Sequence, residues 1–172
     1  MGIKEREMHP HANAPRAPLK RRLATLVYDG LVGLAVYMAV GALFFAIFGG
    51  LVSNGILPDL GHEHAIDTLQ ASPVYTIINE LFKLAGVLLF FCYFWQKSGQ
   101  TLGMRAWRIK VQNIDGSLIS WRQGIIRAIT SCFGLMNITL LFGGTQVALH
   151  DTWSRSEVVE LTLEQNRARL GE

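Results

Sequence analysis

Charge is scarce in this chain, and its scarcity argues against a soluble domain. Only 17% of the 172 residues are charged, whereas roughly a quarter are charged in an average soluble domain. Half of the residues are hydrophobic, and they are concentrated in long runs. Low charge combined with long apolar runs predicts an all-α membrane protein.

Cysteine is also scarce, which limits redox and metal chemistry. The two cysteines, Cys92 and Cys132, lie in apolar segments without further ligands at metal-binding spacing, so we predict reduced packing residues. His62 and His64 form a pair in a polar loop that likewise lacks further ligands. No metal site and no cofactor is therefore predicted. The chain also lacks a nucleophile–base pair and a cofactor-binding motif, so we do not predict an enzyme.

Two apolar segments have the length of membrane spans. The first runs from about Leu23 to Val52, and its 23 residues from Gly30 onward carry no charge. That length is enough to cross roughly 30 Å of hydrocarbon. The second begins at Ser72–Pro73, which suit the N-cap and the first helical position, and it extends to about Trp95.

A third apolar segment, residues 124–149, is interrupted by glycines and contains Arg127. Two alternatives are open for it. One is a single helix that crosses the membrane. The other is a broken or re-entrant arrangement, in which two short helices turn back near residues 135–137.

The basic residues predict how the chain is oriented. Residues 1–22 carry six basic and two acidic side chains, and residues 96–122 carry five basic and one acidic. The loop at residues 53–72 contains no Lys or Arg. Because cytoplasmic loops are enriched in basic residues, we expect the N-terminus and the basic connector in the cytoplasm. The basic excess is explained by topology, so no nucleic-acid partner is predicted.

The polar stretches complete the predicted organisation. Residues 1–18 form a flexible arm, residues 19–160 the membrane domain and residues 161–172 a polar tail. Alternating apolar and polar residues on both sides of Asp115–Gly116 predict a short cytoplasmic β-hairpin. From Ser156 onward the spacing of the apolar residues predicts a helix.

Charged residues inside apolar segments are the candidate functional residues, because they need a partner or water. Arg22 and Asp29 are seven residues apart on one helix face, about 10 Å along the axis. That distance is too long for a direct ion pair, so each needs a partner from another segment. Asp151 is the predicted partner of Arg22. The alternative is that Arg22 is a snorkelling anchor at the membrane surface.

Three further residues, Glu80, Lys83 and His150, are secondary candidates. Glu80 and Lys83 have i,i+3 spacing, which predicts a self-neutralised pair; alternatively, Glu80 lines a polar path and responds to protonation. Arg127 is expected at the membrane interface. His150 precedes Asp151, and an imidazole ordinarily titrates near physiological pH.

Three motifs make the chain resemble the RDD family of small bacterial membrane proteins. R-L-A-T-L-V-Y-D supplies Arg22 and Asp29, L-H-D-T-W-S supplies Asp151, and G-Q-T-L-G-M-R-A-W lies between them at residues 99–107. The three separated motifs occur in the family's order, and the resemblance covers about residues 18–160, which is nearly the whole chain. One departure is at residues 154–156, where family members often have A-G-T or S-G-T and this chain has S-R-S.

The resemblance implies a multi-pass protein of the bacterial cytoplasmic membrane, with Arg22, Asp29 and Asp151 as the named residues. Exchange of monovalent cations for protons has been proposed for some members, so the function expected from the resemblance is a small oligomeric transporter of this kind. The expected partners are the lipid bilayer and either further copies of the chain or another membrane protein. The alternative function is a non-catalytic scaffold or assembly partner, in which the three charged residues are structural.

Overall fold

The computed structural model describes residues 11–131, residue 137 and residues 148–168. The chain divides into two compact units. Unit 1 comprises Met1–Leu31 and Phe91–Glu172, and unit 2 comprises Val32–Phe90. The described helices and strands follow each other in this order: α1 Leu19–Ser53, α2 Ala65–Ala71, α3 Pro73–Ser98, α4 Leu102–Ala106, β1 Ile109–Gln112, α5 Trp121–Thr130, α6 Leu149–Trp153, β2 Glu157–Glu160 and α7 Leu163–Ala168.

Helices α1 and α3 are long and apolar enough to cross a membrane, as predicted for the first two segments. They contain 35 and 26 residues, or about 52 Å and 39 Å of helix. Their most apolar stretches have mean hydropathies of 2.4 and 1.7, yet only 11% and 6% of the residues in these stretches are buried. An apolar helix in a soluble core would be mostly buried, so this exposure favours contact with lipid.

In unit 2 the two helices run antiparallel and pack through aromatic side chains. The Phe44 ring lies 5.5 Å from that of Phe82, and the Phe48 ring lies 5.1 Å from that of Tyr75. Gly86 allows close approach, because a Cβ at this position would lie 2.7 Å from a methyl group of Val40. The helix pair therefore depends on shape as well as on hydrophobicity.

Unit 1 contains a small sheet with its own apolar core. Strands β1 and β2 pair antiparallel, and Arg16 forms a further antiparallel bridge with Val159 of β2. Ala17, immediately after this bridge, is fully buried. The end of the predicted N-terminal arm thus belongs to the folded unit. The core beneath the sheet includes these residues: Ala17, Trp95, Met104, Ile109, Val111, Ile119 and Val158.

The structure corrects two sequence-based predictions about this sheet. The turn at Asp115–Gly116 forms, with Gly116 N–H donating to the carbonyl of Asn113, but the predicted hairpin is wrong. The strand before the turn, β1, pairs with β2 instead of with the residues that follow the turn. The helix predicted from Ser156 is also wrong in its first part, because β2 occupies Glu157–Glu160 and α7 begins only at Leu163.

The two ends of the third apolar segment meet. Arg127 in α5 donates a hydrogen bond of 2.5 Å to Asp151 in α6. In one straight helix, 24 residues would separate them by about 36 Å. The alternative of a single uninterrupted helix is therefore wrong. The alternative turn near residues 135–137 lies outside the described residues.

Candidate functional site

Asp29 lies in the first third of α1 and is buried, with 8% of its surface exposed. Its carboxylate accepts a hydrogen bond of 2.5 Å from the Thr101 hydroxyl and one of 2.9 Å from the N–H of Gly103. The predicted partner from another segment is thus found, and it follows α3. Both donors are uncharged. Within the described part of the chain, no Lys, Arg or His forms an ion pair with Asp29.

The segment around α4 has the residues needed to reach Asp29. Gly99 has a φ of +71°, and a Cβ there would lie 2.6 Å from a backbone oxygen of β1, so only glycine fits. Thr101 is the N-cap of α4, because its hydroxyl accepts a hydrogen bond from Met104 N–H while donating to Asp29. A Cβ on Gly103 would lie 2.7 Å from the carboxylate. Two glycines and a cap therefore position this contact.

Asp151 lies between two arginines. Its Oδ2 accepts a hydrogen bond of 2.6 Å from Arg22, and its Oδ1 accepts one of 2.5 Å from Arg127. Arg127 also donates to the Ser156 hydroxyl, and Arg22 donates to the carbonyl of Ala17. Each arginine is 4% exposed and Asp151 is 1% exposed. The predicted pairing of Arg22 with Asp151 is confirmed, and the alternative of a snorkelling Arg22 is wrong.

Local capping interactions place Arg127 and Asp151, which pair with each other. Helix α5 begins with a capping box, in which Ser120 and Gln123 exchange side-chain and backbone hydrogen bonds. Arg127 follows this box at the next turn, on the buried face of α5. Asp151 accepts a further hydrogen bond of 3.2 Å from the N–H of Ala148, at the start of its own helix α6.

The electrostatic environment fixes the protonation of Asp151 and His150. Burial opposes ionisation of the Asp151 carboxyl, but the Arg127 and Arg22 guanidinium groups hold its pKa well below its usual range. Burial, together with the charge of Arg127, lowers the pKa of His150 to about 3. His150 is therefore neutral at physiological pH. The expectation that it titrates in that range is wrong.

The interfacial location predicted for Arg127 stays a prediction, and the structure adds protein contacts that the sequence did not assign. Its guanidinium is buried, and it lies 5.7 Å from the ring centre of Trp95 in addition to its contact with Asp151. Burying two arginines against one aspartate requires each charge to be held by hydrogen bonds. The geometry gives Asp151 three donors, so this carboxylate is committed to holding α1, α5 and α6 together.

The secondary candidates Glu80 and Lys83 form their predicted pair in unit 2. Lys83 Nζ donates a hydrogen bond of 2.5 Å to Glu80. The Tyr37 hydroxyl donates to the same carboxylate. The alternative, in which Glu80 lines a polar path, stays a prediction.

The residues predicted not to be functional are distributed as follows. Cys92 is a buried free thiol, as predicted, whereas Cys132 lies outside the described residues. His62 and His64 are exposed in the loop before α2. In the described ranges, no three His, Cys, Asp or Glu side chains are grouped as a metal site would require.

Sequence reasoning missed three site residues: Thr101, Gly103 and the role of Arg127. The signal for Thr101 was present, since a threonine before a short helical stretch favours an N-cap. Gly103 lies two residues later in the quoted motif, but a close approach of backbone to carboxylate is not visible in sequence. Arg127 was recognised as charged, and only the fold identifies its partner.

The departure from the family pattern at residues 154–156 places an arginine, Arg155, in a backbone conformation that favours glycine. It has a φ of +50°, a left-handed conformation that favours glycine. It directly follows Ser154, the C-cap of α6. The glycine of the A-G-T or S-G-T run stands at this position in the resemblance, and this chain places an arginine there instead.

The comparisons with known proteins agree with the motifs. The RDD family model matches residues 16–155, which include Arg22, Asp29, Asp151 and the α4 segment. No curated protein matches the chain, and no solved structure matches it. Because the matched range is most of the 172 residues, the chain belongs to the RDD family.

Proposed function

We propose that this membrane protein exchanges a monovalent cation for protons, and that Asp29 binds the two ions in turn. The observation that carries the proposal is the difference between its two buried aspartates. Asp151 is held by two arginines, whereas Asp29 is held only by the Thr101 hydroxyl and a backbone N–H. A carboxylate with no cationic partner in the described chain is the one that can accept a cation or a proton.

The surroundings of Asp29 supply oxygen atoms of the kind that hard cations prefer. The Thr101 hydroxyl oxygen contacts the carboxylate directly. The carbonyl oxygen of Thr25 lies beside Gly103, 2.8 Å from where a Cβ would be. The Thr25 hydroxyl is buried and has no hydrogen-bond partner in the described ranges. These oxygen atoms suit a small cation that binds and leaves as the transported ion, and the proposal requires no permanently bound metal.

The cation and the proton compete for the single carboxylate of Asp29, so the proposed exchange moves one cation for one proton. The ionised carboxylate binds a cation, releases it, and then binds a proton before the next cation enters. A cationic side chain at the same place would neutralise the carboxylate permanently and prevent both steps. In this proposal Arg22 and Arg127 keep Asp151 ionised and hold the surrounding helices, and they do not touch the transported ion.

Two long apolar helices cannot enclose a path across a bilayer by themselves. The proposed exchanger is therefore an oligomer of this chain. We place it in the bacterial cytoplasmic membrane as a multi-pass protein with a cytoplasmic N-terminus, since the basic connector and N-terminal region follow the positive-inside rule. Labelling of Asp115→Cys and His62→Cys in a background free of the native cysteines, with a membrane-impermeant reagent, tests this orientation. Only His62→Cys should react from outside intact cells.

The proposal is tested with purified protein in vesicles that contain a pH-sensitive dye. A pulse of Na⁺ or K⁺ outside should release protons from vesicles that carry the wild-type chain. Asp29→Asn should abolish this exchange, because an amide neither releases a proton nor carries the charge that binds the cation. Asp115→Asn, at an exposed turn, is the matched control and should exchange ions at the wild-type rate. Wild-type activity in the Asp29→Asn protein would end the proposal.

A scaffold function is the second candidate, and the network around Asp151 is the observation that favours it. Arg22 and Arg127 join α1, α5 and α6 through one carboxylate, which fixes these elements whatever the protein does. A scaffold would show no ion exchange as wild type, and its partner protein would lose assembly when Asp151→Asn removes the charge. Exchange by the wild-type chain alone in vesicles would contradict this candidate.

A further inference from the structure

The Glu80–Lys83 pair is part of a three-residue cluster within unit 2. Glu80 accepts hydrogen bonds from Lys83 and Tyr37, and Lys83 Nζ lies 4.4 Å from the centre of the Tyr37 ring. Gly41 leaves room for the lysine stem, because a Cβ there would lie 3.0 Å from Lys83 Cδ. The cluster therefore links α1 and α3 through a charged pair on an otherwise apolar helix surface.

The cluster lies at membrane depth. Helix α3 begins at Pro73 and contains 26 residues, so Glu80 and Lys83 are about 10 Å and 15 Å from its start. The helix is about 39 Å long and the hydrocarbon layer is about 30 Å thick. Both charged groups therefore lie below the edge of the hydrocarbon layer, by about 6 Å and 10 Å, when α3 is centred in it.

The intrachain pair leaves its carboxylate half uncovered. The Glu80 side chain is 45% exposed, whereas the Lys83 side chain is 13% exposed. The exposed residues of α3 around Glu80 include three large apolar side chains, those of Ile77, Leu81 and Leu84. Hydrocarbon cannot solvate an ionised carboxylate, so the exposed part of Glu80 needs a polar partner beyond the described residues of this chain.

We propose that this edge of unit 2, formed by Tyr37, Glu80 and Lys83, binds the same edge of a second copy of the chain across a two-fold axis. The edge carries one negative and one positive group, so it is complementary to itself. A two-fold interface brings each residue of a pair against the other residue of the partner. Each Glu80 then lies between its own Lys83 and the partner's Lys83, and the exposed isoleucine and leucines around it pack against their equivalents.

Other occupants fit the observations less well. Lipid headgroups lie at the membrane surface, whereas Glu80 and Lys83 lie below it when α3 is centred in the bilayer. A different membrane protein would have to present the opposite arrangement of charges, whereas a second copy presents it by symmetry. The proposed contact concerns how two copies of the chain associate, and neither Asp29 nor Asp151 takes part in it.

A charge swap tests the symmetry directly. The double variant Glu80→Lys/Lys83→Glu keeps the intrachain pair and stays complementary to itself. Against the wild-type chain, however, it places like charges opposite each other. Energy transfer between labelled full-length chains in vesicles measures how wild type and variant pair when they are mixed in equal amounts. Random pairing would put roughly half of the dimers in mixed form.

We expect each protein to associate with itself, and mixed dimers to fall about tenfold below the random level. The matched control is the swap Arg21→Glu/Glu160→Arg, because this pair in unit 1 also forms an intrachain ion pair, with a 2.7 Å separation. The control should mix with wild type at random. Random mixing of the Glu80/Lys83 swap, or a wild-type chain that stays monomeric at every protein-to-lipid ratio, would overturn the proposal.

A second variant keeps the test decisive where the swapped chain does not fold. Glu80→Gln/Lys83→Gln removes both charges and retains polar side chains of similar length. We expect its dissociation constant to be about tenfold higher than that of wild type, with the helical circular dichroism unchanged. An unchanged dissociation constant would contradict the interface. Both variants are measured without ion flux. Exchange can therefore fail while this interface holds, and this interface can fail while an oligomer formed through another surface still exchanges ions.

Discussion

Replacing Gly103 by alanine tests whether the contact between α4 and Asp29 determines the stability of unit 1. The new Cβ would lie 2.7 Å from Asp29 Oδ1 and 2.8 Å from the carbonyl oxygen of Thr25. Neither distance is tolerable, and the second atom belongs to the backbone of α1. The α4 segment must therefore move away from α1, and the 2.9 Å hydrogen bond from Gly103 to Asp29 is lost.

The cost can be estimated from these contacts. Overpacking a buried site costs about 1–3 kcal/mol, and losing a hydrogen bond to a charged group costs about 1.5–3 kcal/mol. Alanine recovers up to about 1 kcal/mol through its higher helix propensity. We therefore expect Gly103→Ala to lower the free energy of unfolding by about 3 kcal/mol. This is a large part of the stability of an ordinary domain.

Chemical unfolding in mild detergent, followed by tryptophan fluorescence, measures this effect. Gly30→Ala is the matched control, because a Cβ there has no atom within 4 Å, and it should be neutral or stabilise by up to about 1 kcal/mol. In an Asp29→Ala background the cost of Gly103→Ala should shrink, since one of the two close contacts is gone. The reasoning is refuted if the two glycine variants have equal stability, or if the cost does not depend on residue 29.

Two further predictions follow from unit 1. Arg155→Gly should raise the free energy of unfolding by about 1 kcal/mol, because glycine adopts a φ of +50° without strain; Arg155→Ala, which keeps the strain, should give no such gain in the same unfolding assay. His150 has a pKa near 6.5 when unfolded and about 3 when folded, so its contribution is complete above pH 6.5 and is lost as the pH falls toward 3. At pH 5 the loss should be about 2 kcal/mol relative to neutral pH. Thermal unfolding of His150→Gln should lack this dependence, and an equal dependence in both proteins would contradict the neutral buried imidazole.

The long helices were predictable because their signal is local. A charge-free run from Gly30 to Val52 and a Ser72–Pro73 start are each sufficient to predict a helix. The structure extends them by a few residues at three ends and retains the predicted start at Pro73. Local capping and hydrophobicity determined these elements, so no knowledge of tertiary contacts was required.

The sheet was not predictable, because its pairing is not local. β1 contains only four residues, and its partner β2 begins 45 residues after β1 ends. The residues after the Asp115–Gly116 turn offered a nearer partner with suitable alternation, which made a hairpin the simpler prediction. The tertiary contacts of β2 with Arg16 and Ala17 outweigh that local preference.

The site was predictable in part. The seven-residue spacing of Arg22 and Asp29 correctly indicated that each needs a separate partner, and Asp151 was identified for Arg22. Thr101 and Arg127 could not be assigned, because hydrogen-bond partners 72 and 24 residues away depend on the fold. Charge spacing reveals that a partner is needed, and only the structure shows which residue supplies it.

The ion pair between Arg22 and Asp151 joins residues 129 positions apart. During synthesis Arg22 is made long before its partner Asp151. Asp29 is likewise made before Thr101, which donates a hydrogen bond to it. The first helix therefore enters the bilayer with two unsatisfied charged groups that neighbouring lipid, water or assembly factors must accommodate for the time that translation takes. A chain that stops before residue 151 leaves two arginines without this counter-ion, which exposes a defect that cellular proteases can recognise. The ion pairs of Arg22 and Arg127 can thus form only after residue 151 has been synthesised.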